Sequence, residues 1–265
     1  MNLAIIERGD APLVIDIPHA GTFVPPPLAQ RLQGSARALP DTDWHVDKLF
    51  HFALRMGATV VAATHSRYVV DLNRDPAGVA LYPGADNTEL CPTRTFAGAP
   101  IYAEGDAPGA DEIRARRAEY FDPYHDALAE QVERVRRRHG HVVLLDGHSI
   151  RAEVPRFFAG RLPDLNLGTA DGASCALALR DAAAGILARA SCFTHVVDGR
   201  FKGGYVTRHY GRPERAMHAL QLEMAQACYM DENAPAAFDA VRSGRLVATL
   251  ITLAATLIEW RPVGA

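Results

Sequence analysis

The chain has 265 residues, 48% of them hydrophobic and 22% charged, with a net charge of −3 and an isoelectric point near 6.4. That size fits one large α/β domain or two small ones, and the charge gives no general reason to bind nucleic acid or an acidic membrane surface. The four cysteines, Cys91, Cys175, Cys192 and Cys228, form no CxxC pair and read as reduced thiols of a cytoplasmic protein.

The start, "MNLAIIERGD", lacks a basic n-region and turns acidic too early for a signal peptide. The first predicted strand, 13–17, runs into Pro18-His19-Ala20-Gly21. From Asp43 onward, Val46, Leu49, Phe50, Ala53 and Leu54 follow helical spacing, and Gly57 closes that helix. Two more strands are predicted over 58–63 and 67–72. Residues 73–109 are rich in Pro and Gly and lack periodicity, which marks a loop long enough to be functional. A helix over 110–139, kinked at Pro123, ends in "ERVRRRHG". That basic run reads as a solvated helix C-terminus stopped by Gly140 rather than a nucleic-acid patch.

A strand over 141–146 leads into Gly147-His148-Ser149. A second long loop, 151–172, precedes a helix over 173–190, a strand over 193–198 and a Gly- and Arg-rich loop over 199–213. "HALQLEM" then alternates with period two and sets Glu223 opposite Leu220, Leu222 and Met224. The late stretch "LVATLITLAATLI" reads as part of a buried closing helix, too short to span a bilayer. No repeat or linker divides the chain. The expectation is one domain, 1–265, of three-layer αβα class with a mixed, mostly parallel sheet.

Sites in such sheets form at the carboxyl ends of strands. Here those ends carry His19, the run from Asp71 to Asp75, Asp146-Gly147-His148 and Glu223, and the helix after the first strand opens with Asp41-Thr42-Asp43-Trp44. Each alone has an ordinary reading as a hydrogen-bonded histidine, an Asx turn, a helix cap or an exposed strand residue. Together they describe a site. Two histidines and one carboxylate are the usual protein ligands of a hydrolytic zinc, leaving a position for water. His19 and His148 are the candidate imidazoles, and Asp43 is the candidate carboxylate with Asp41 as its rival. Gly21 is expected to let the chain turn close to the metal without side-chain obstruction. Asp146 or Asp16 is placed to hold an imidazole from behind. Glu223 is the candidate general base. Arg74, Arg208 and Arg67 beside these residues imply an anionic substrate such as a dicarboxylate. His209, next to Arg208, is a further candidate contact and the second choice of base. Ser149 has no GxSxG elbow around it, and there is no P-loop or GxGxxG.

The stretches "VIDIPHAGTFVP", "LPDTDWHVDKLF", "SRYVVDLNRDP", "LLDGHSIRAEVP", "GRLPDLNLGTADGASC", "GRFKGGYVTRHYG" and "HALQLEMAQACYM" closely resemble the N-formylglutamate amidohydrolase family, in order over nearly the whole chain. The resemblance implies the zinc-exopeptidase-like fold shared with carboxypeptidases and aspartoacylases. It implies one zinc ion per chain, with cobalt or manganese as substitutes. It implies hydrolysis of N-formyl-L-glutamate to L-glutamate and formate, the last step of one histidine-degradation route. The alternative substrates are other N-acyl acidic amino acids and γ-glutamyl peptides; the alternative class is a non-catalytic binder of acidic metabolites. The Asn-Arg pair that holds a substrate carboxylate in those relatives matches Asn73-Arg74, the second zinc histidine matches His148, and the late-strand base matches Glu223. The relatives' first motif is His-x-x-Glu, but the third residue after His19 is Thr22. The remaining ligand must therefore come from elsewhere, Asp43 or Asp41. The implied partner is a small acidic N-acyl amino acid, with neither nucleic acid nor membrane involved; the oligomeric state is left open.

Overall fold

The computed structural model describes residues 2–81, 84 and 86–262. Among these, short aliphatic runs supply seven strands: β1 (Ala4–Glu7), β2 (Leu13–Ile17), β3 (Thr59–Ala63), β4 (Val142–Ile150), β5 (Leu165–Gly168), β6 (His195–Val197) and β7 (Met217–Ala225). They form one sheet in the order β1-β3-β2-β4-β7-β5-β6. The centre is parallel, with β3, β2, β4 and β7 running together; β1 and β5 pair antiparallel to β3 and β7. The mixed, mostly parallel sheet is therefore as expected.

The helices are α1 (Pro26–Ala29), α2 (Val46–Leu49), α3 (Ala110–Arg116), α4 (Asp122–His139), α5 (Leu177–Arg189), α6 (Tyr205–Tyr210) and α7 (Ala240–Glu259). Alternation along the strands sorts them into two layers. Leu13, Ile15, Val143, Leu145, Leu220 and Leu222 pack with Leu49 of α2, Leu179 of α5 and Leu246 and Leu250 of α7. Val14, Leu144 and Ala219 point the other way, onto Leu128 and Val132 of α4 and Val206 of α6. Removing both sheet faces from water is what lets the central strands carry near-continuous apolar runs. α7 is the one described helix long and apolar enough to cross a membrane. Its stripe of Leu246, Leu250, Leu253 and Leu257 belongs to the core.

Several expected boundaries move. The helix expected from Asp43 begins only at Val46, because Asp43 N donates to His19 O (3.0 Å) and His45 is left-handed (φ 65°); it then breaks into α2 and a 3₁₀ turn, His51–Met56. The predicted strand over 67–72 is a series of turns: Val69 N donates back to Ser66 O, and Asp71 N bonds Leu90 O of the long loop instead of a ladder. The long helix holds, but a π turn, Arg117–Phe121, precedes Pro123 and absorbs its missing N–H. β4 extends through His148, β5 lies inside the expected loop 151–172, and α6 inside the expected loop 199–213. Within 73–109, positions 82, 83 and 85 lie outside the described residues.

Candidate metal and substrate site

Register builds the site. Glu223 pairs with His148 across β7 and β4, and Asp146 pairs with Asp16 across β4 and β2. His19 stands two residues beyond β2. The turn that carries it requires Gly21, where a Cβ would lie 2.4 Å from His65 O and 2.5 Å from the Thr64 carbonyl carbon. Gly21 thus lets the turn lie against the backbone after β3; the expectation that it clears space at the metal is replaced by this closer contact.

His19, Asp43 and His148 are buried together, with one ligand-type atom of each within 4.8 Å of the others. Asp43 Oδ2 lies 3.0 Å from His148 Nδ1 and 3.8 Å from His19 Nδ1, and it accepts from Ser149 N (3.0 Å). Asp41 points elsewhere: its Oδ2 accepts from Tyr68 Oη (2.6 Å) and Phe96 N (2.9 Å) and touches neither imidazole. Asp43, not Asp41, is therefore the carboxylate beside the histidines.

Each imidazole turns its far nitrogen to another carboxylate. His19 Nε2 donates to Asp71 Oδ1 (2.8 Å), and His148 Nε2 lies 2.7 Å from Asp146 Oδ1. Sequence reasoning assigned no role to Asp71, although "DLNRD" displays it. Asp16 sits one strand further back, where its Oδ1 accepts from Tyr124 Oη (2.5 Å). Burial, then the nearby Asp146 charge, holds the Asp16 carboxyl well above the usual range.

The charges explain what this group accommodates. Asp43, Asp71, Asp41 and Glu223 are buried carboxyl groups acting on one buried guanidinium, Arg67, and Asp146 is buried behind His148. Arg67 Nη2 bonds Asp43 Oδ1 (2.9 Å) and touches His19 Nδ1. Burial, and then Arg67, drop the His19 pKa to about 4, so its ring is neutral and presents the Nδ1 lone pair to a cation. Burial also disfavours charge on His148, but Asp146 and Asp43 outweigh it and hold the imidazole pKa well above its ordinary value. At Asp71, the Arg74 guanidinium, then His19 and Arg67, overcome burial and keep the carboxyl well below the usual range. Glu223 has less compensation: burial, with Asp43 and Asp146 adding, pushes it up to about 8. Two imidazoles held from behind and one carboxylate between them are a donor set that suits a divalent ion, whose binding would release the proton that Asp146 and Asp43 favour on His148.

A cavity opens onto this floor, lined by Arg67, Asn73, Arg74, His148 and Glu223, and by Phe96, Phe157 and Arg200 from loops. Asn73 is engaged internally: Nδ2 donates to Asp146 Oδ2 (3.1 Å) and lies 2.8 Å from His148 Nε2, while Oδ1 accepts from Val206 N. It braces the floor. Gly204 admits this side chain, since a Cβ there would lie 2.4 Å from the Asn73 amide. Arg208 and His209 do not reach the cavity. α6 buries Val206, Thr207 and Tyr210 and turns Arg208 and His209 to solvent, where Arg208 Nε bonds Gly203 O and the His209 ring stacks on Tyr205. Arg200, which sequence reasoning missed, takes a place in the lining instead.

The chain matches the N-formylglutamate amidohydrolase family over residues 11–230. It is 48% identical to the N-formylglutamate deformylase of Pseudomonas aeruginosa over 96% of this chain and 95% of that one. It is 46% identical to that of Pseudomonas putida, over 86% and 85%. The crystal structure of N-formylglutamate amidohydrolase from Ralstonia eutropha superposes with a TM-score of 0.80 at 30% identity, covering 97% of this chain and 98% of that one. A gene product of Agrobacterium tumefaciens shares the fold, with a TM-score of 0.70 at 19% identity.

Proposed function

The chain belongs to the N-formylglutamate amidohydrolase family, and on that premise we propose that it hydrolyses N-formyl-L-glutamate to L-glutamate and formate, acting in the cytoplasm as one catalytic unit over 1–265. The observation that carries the chemistry is the buried His19–Asp43–His148 group with Glu223 beside it. These three residues would hold one zinc ion, for which cobalt or manganese could substitute. A bound divalent ion would polarise the formyl carbonyl and lower the pKa of water towards neutrality.

The chain's own groups do the rest. Glu223, as carboxylate, takes a proton from the attacking water as its oxygen bonds the formyl carbon; the C–N bond breaks and Glu223 returns the proton to the leaving nitrogen. Asp71 and Asp146 fix the two rings, and Asn73 fixes Asp146. Arg67, on the floor beside Asp43, faces the reacting carbonyl, and Arg74 receives the α-carboxylate. Binding energy from the acid groups orients the small formamide for attack.

The test is turnover of N-formyl-, N-acetyl- and N-succinyl-glutamate by the purified protein, with metal analysis of the same sample. N-formylglutamate should be hydrolysed fastest, by protein holding about one divalent ion per chain. Faster turnover of the bulkier acyl groups defeats the deformylase reading in favour of another N-acyl amidase. Protein that is active without any divalent metal defeats the assignment of the ligands.

A further inference from the structure

Resting on the hydrolase reading above, we propose that Arg200 is the receptor for the substrate's side-chain carboxylate and sets the preference for an acidic residue. Three guanidinium groups line the cavity among the described residues: Arg67, Arg74 and Arg200. They lie at different depths. Arg67 is committed to the floor, bonded to Asp43 and touching His19, with Asp71 Oδ2 3.9 Å away. Arg74 is one step out. Its Nη1 lies 4.0 Å from Asp71 Oδ1, the atom that holds His19, and its Nε donates to Thr88 Oγ1 (2.8 Å).

Arg200 belongs to the wall. It follows β6, its Nε donates to Phe157 O (2.7 Å) in the loop after β4, and its guanidinium carbon stands 5.4 Å from the Phe201 ring centroid. Phe157 and Phe201 both line the cavity with it.

The substrate has the same order of depths. Its α-carboxylate is one carbon from the amide nitrogen, and its side-chain carboxylate is two methylenes further out. With the formamide between His148 and Glu223, the nearer acid meets Arg74 and the farther one Arg200. The intervening methylenes pass the aromatic lining. A planar fork anchored at Nε by a backbone carbonyl is pre-oriented for bidentate carboxylate recognition. A site built around such a charge rejects the neutral isostere strongly.

N-formyl-L-glutamine is that isostere, since it keeps the formamide, the α-carboxylate and the side-chain length. Wild-type protein should prefer N-formyl-L-glutamate by about 100-fold in kcat/KM. Arg200→Gln should reduce this to within about fivefold, chiefly through KM, the loss falling on the glutamate substrate. Arg200→Lys should restore part of the preference, and Arg74→Gln should weaken both substrates alike. Thermal stabilisation of wild type and Arg200→Gln by L-glutamate against L-glutamine gives a readout that needs no turnover. Equal losses on both substrates in Arg200→Gln, or an undiminished preference, would overturn the proposal. If Arg200→Gln does not fold, the same two outcomes in Arg200→Lys overturn it. Should wild type hydrolyse neither substrate, the hydrolase reading fails, and the glutamate-over-glutamine difference in stabilisation still decides the role of Arg200.

Discussion

The floor of the cavity and its wall are held by different means. Most floor residues come from strands in register or from the turn directly after one, Glu223 beside His148, Asp146 beside Asp16 and His19 just past β2, while Asp43, Arg67 and Asp71 join them from buried turns. They are buried and bonded to one another, and a shift of one residue in any strand would turn its side chain to the opposite layer. The wall comes from loops. Phe157 and Arg200 are half-buried and joined through a backbone carbonyl, a contact that can change without disturbing the sheet. On the proposed function, bond-breaking chemistry and substrate preference would fall on separable parts of the molecule. Floor substitutions should act on metal and turnover, wall substitutions on KM.

The largest expected effect tests the floor at its centre. Asp43→Asn keeps the shape but removes the charge facing both imidazoles, so metal and activity should disappear together, with turnover down by more than about 10⁴-fold. Asp41→Asn should retain the metal, because that carboxylate bonds only Tyr68 and Phe96 among the described residues. Metal content of the two variants decides the matter; a metal-replete, active Asp43→Asn breaks the contrast between floor and wall.

Glu223→Gln should keep metal and fold yet lose about 10²–10⁴-fold in turnover. Unimpaired turnover would move the proton transfer to another group.

The same contrast marks how much of the molecule is legible in its amino-acid order. Parallel strands collect their carboxyl ends on one edge, so the residues standing there, His19, His148 and Glu223, can be gathered from strand ends alone. Period two in "HALQLEM" separates Glu223 from the apolar face. The wall offers no such rule. Arg208 and Arg200 are both arginines in one Gly-rich stretch, and only the six-residue helix α6, invisible as a period over so short a span, turns Arg208 outward. β5, with four residues, is likewise too short to alternate visibly. The run from Tyr68 to Val70 imitates a strand because burial alone selects apolar residues, whether the backbone pairs or turns. Asp71 escapes assignment because its role depends on His19, 52 residues away.

Asp71→Asn addresses that missed contact with a smaller effect. It weakens the acceptor behind His19 without removing a ligand, so metal affinity should fall by about 10–100-fold. Activity should return at excess metal, which Asp43→Asn should not show. Failure of excess metal to restore any activity would place Asp71 closer to the chemistry than a support for His19.

The smallest effect concerns how the floor segment is anchored to the helical layer. His125 on α4 donates from Nε2 to Leu72 O (2.9 Å), one residue from both Asp71 and Asn73, and its Nδ1 lies 3.0 Å from Tyr210 Oη. Burial drops its pKa to about 4. The unfolded chain, with an ordinary value near 6.5, therefore binds more protons than the fold between those limits, and stability must rise with pH there. The contribution is complete above about 6.5 and is lost as pH falls towards 4, the loss reaching on the order of 1 kcal/mol at pH 5.5. His125→Gln should lower stability at pH 7.5 through the altered contact to Leu72, yet flatten the loss on acidification by that amount. Denaturant melts of both proteins at pH 7.5 and 5.5 measure it. Parallel pH dependence in the two would show that the floor is anchored independently of this histidine.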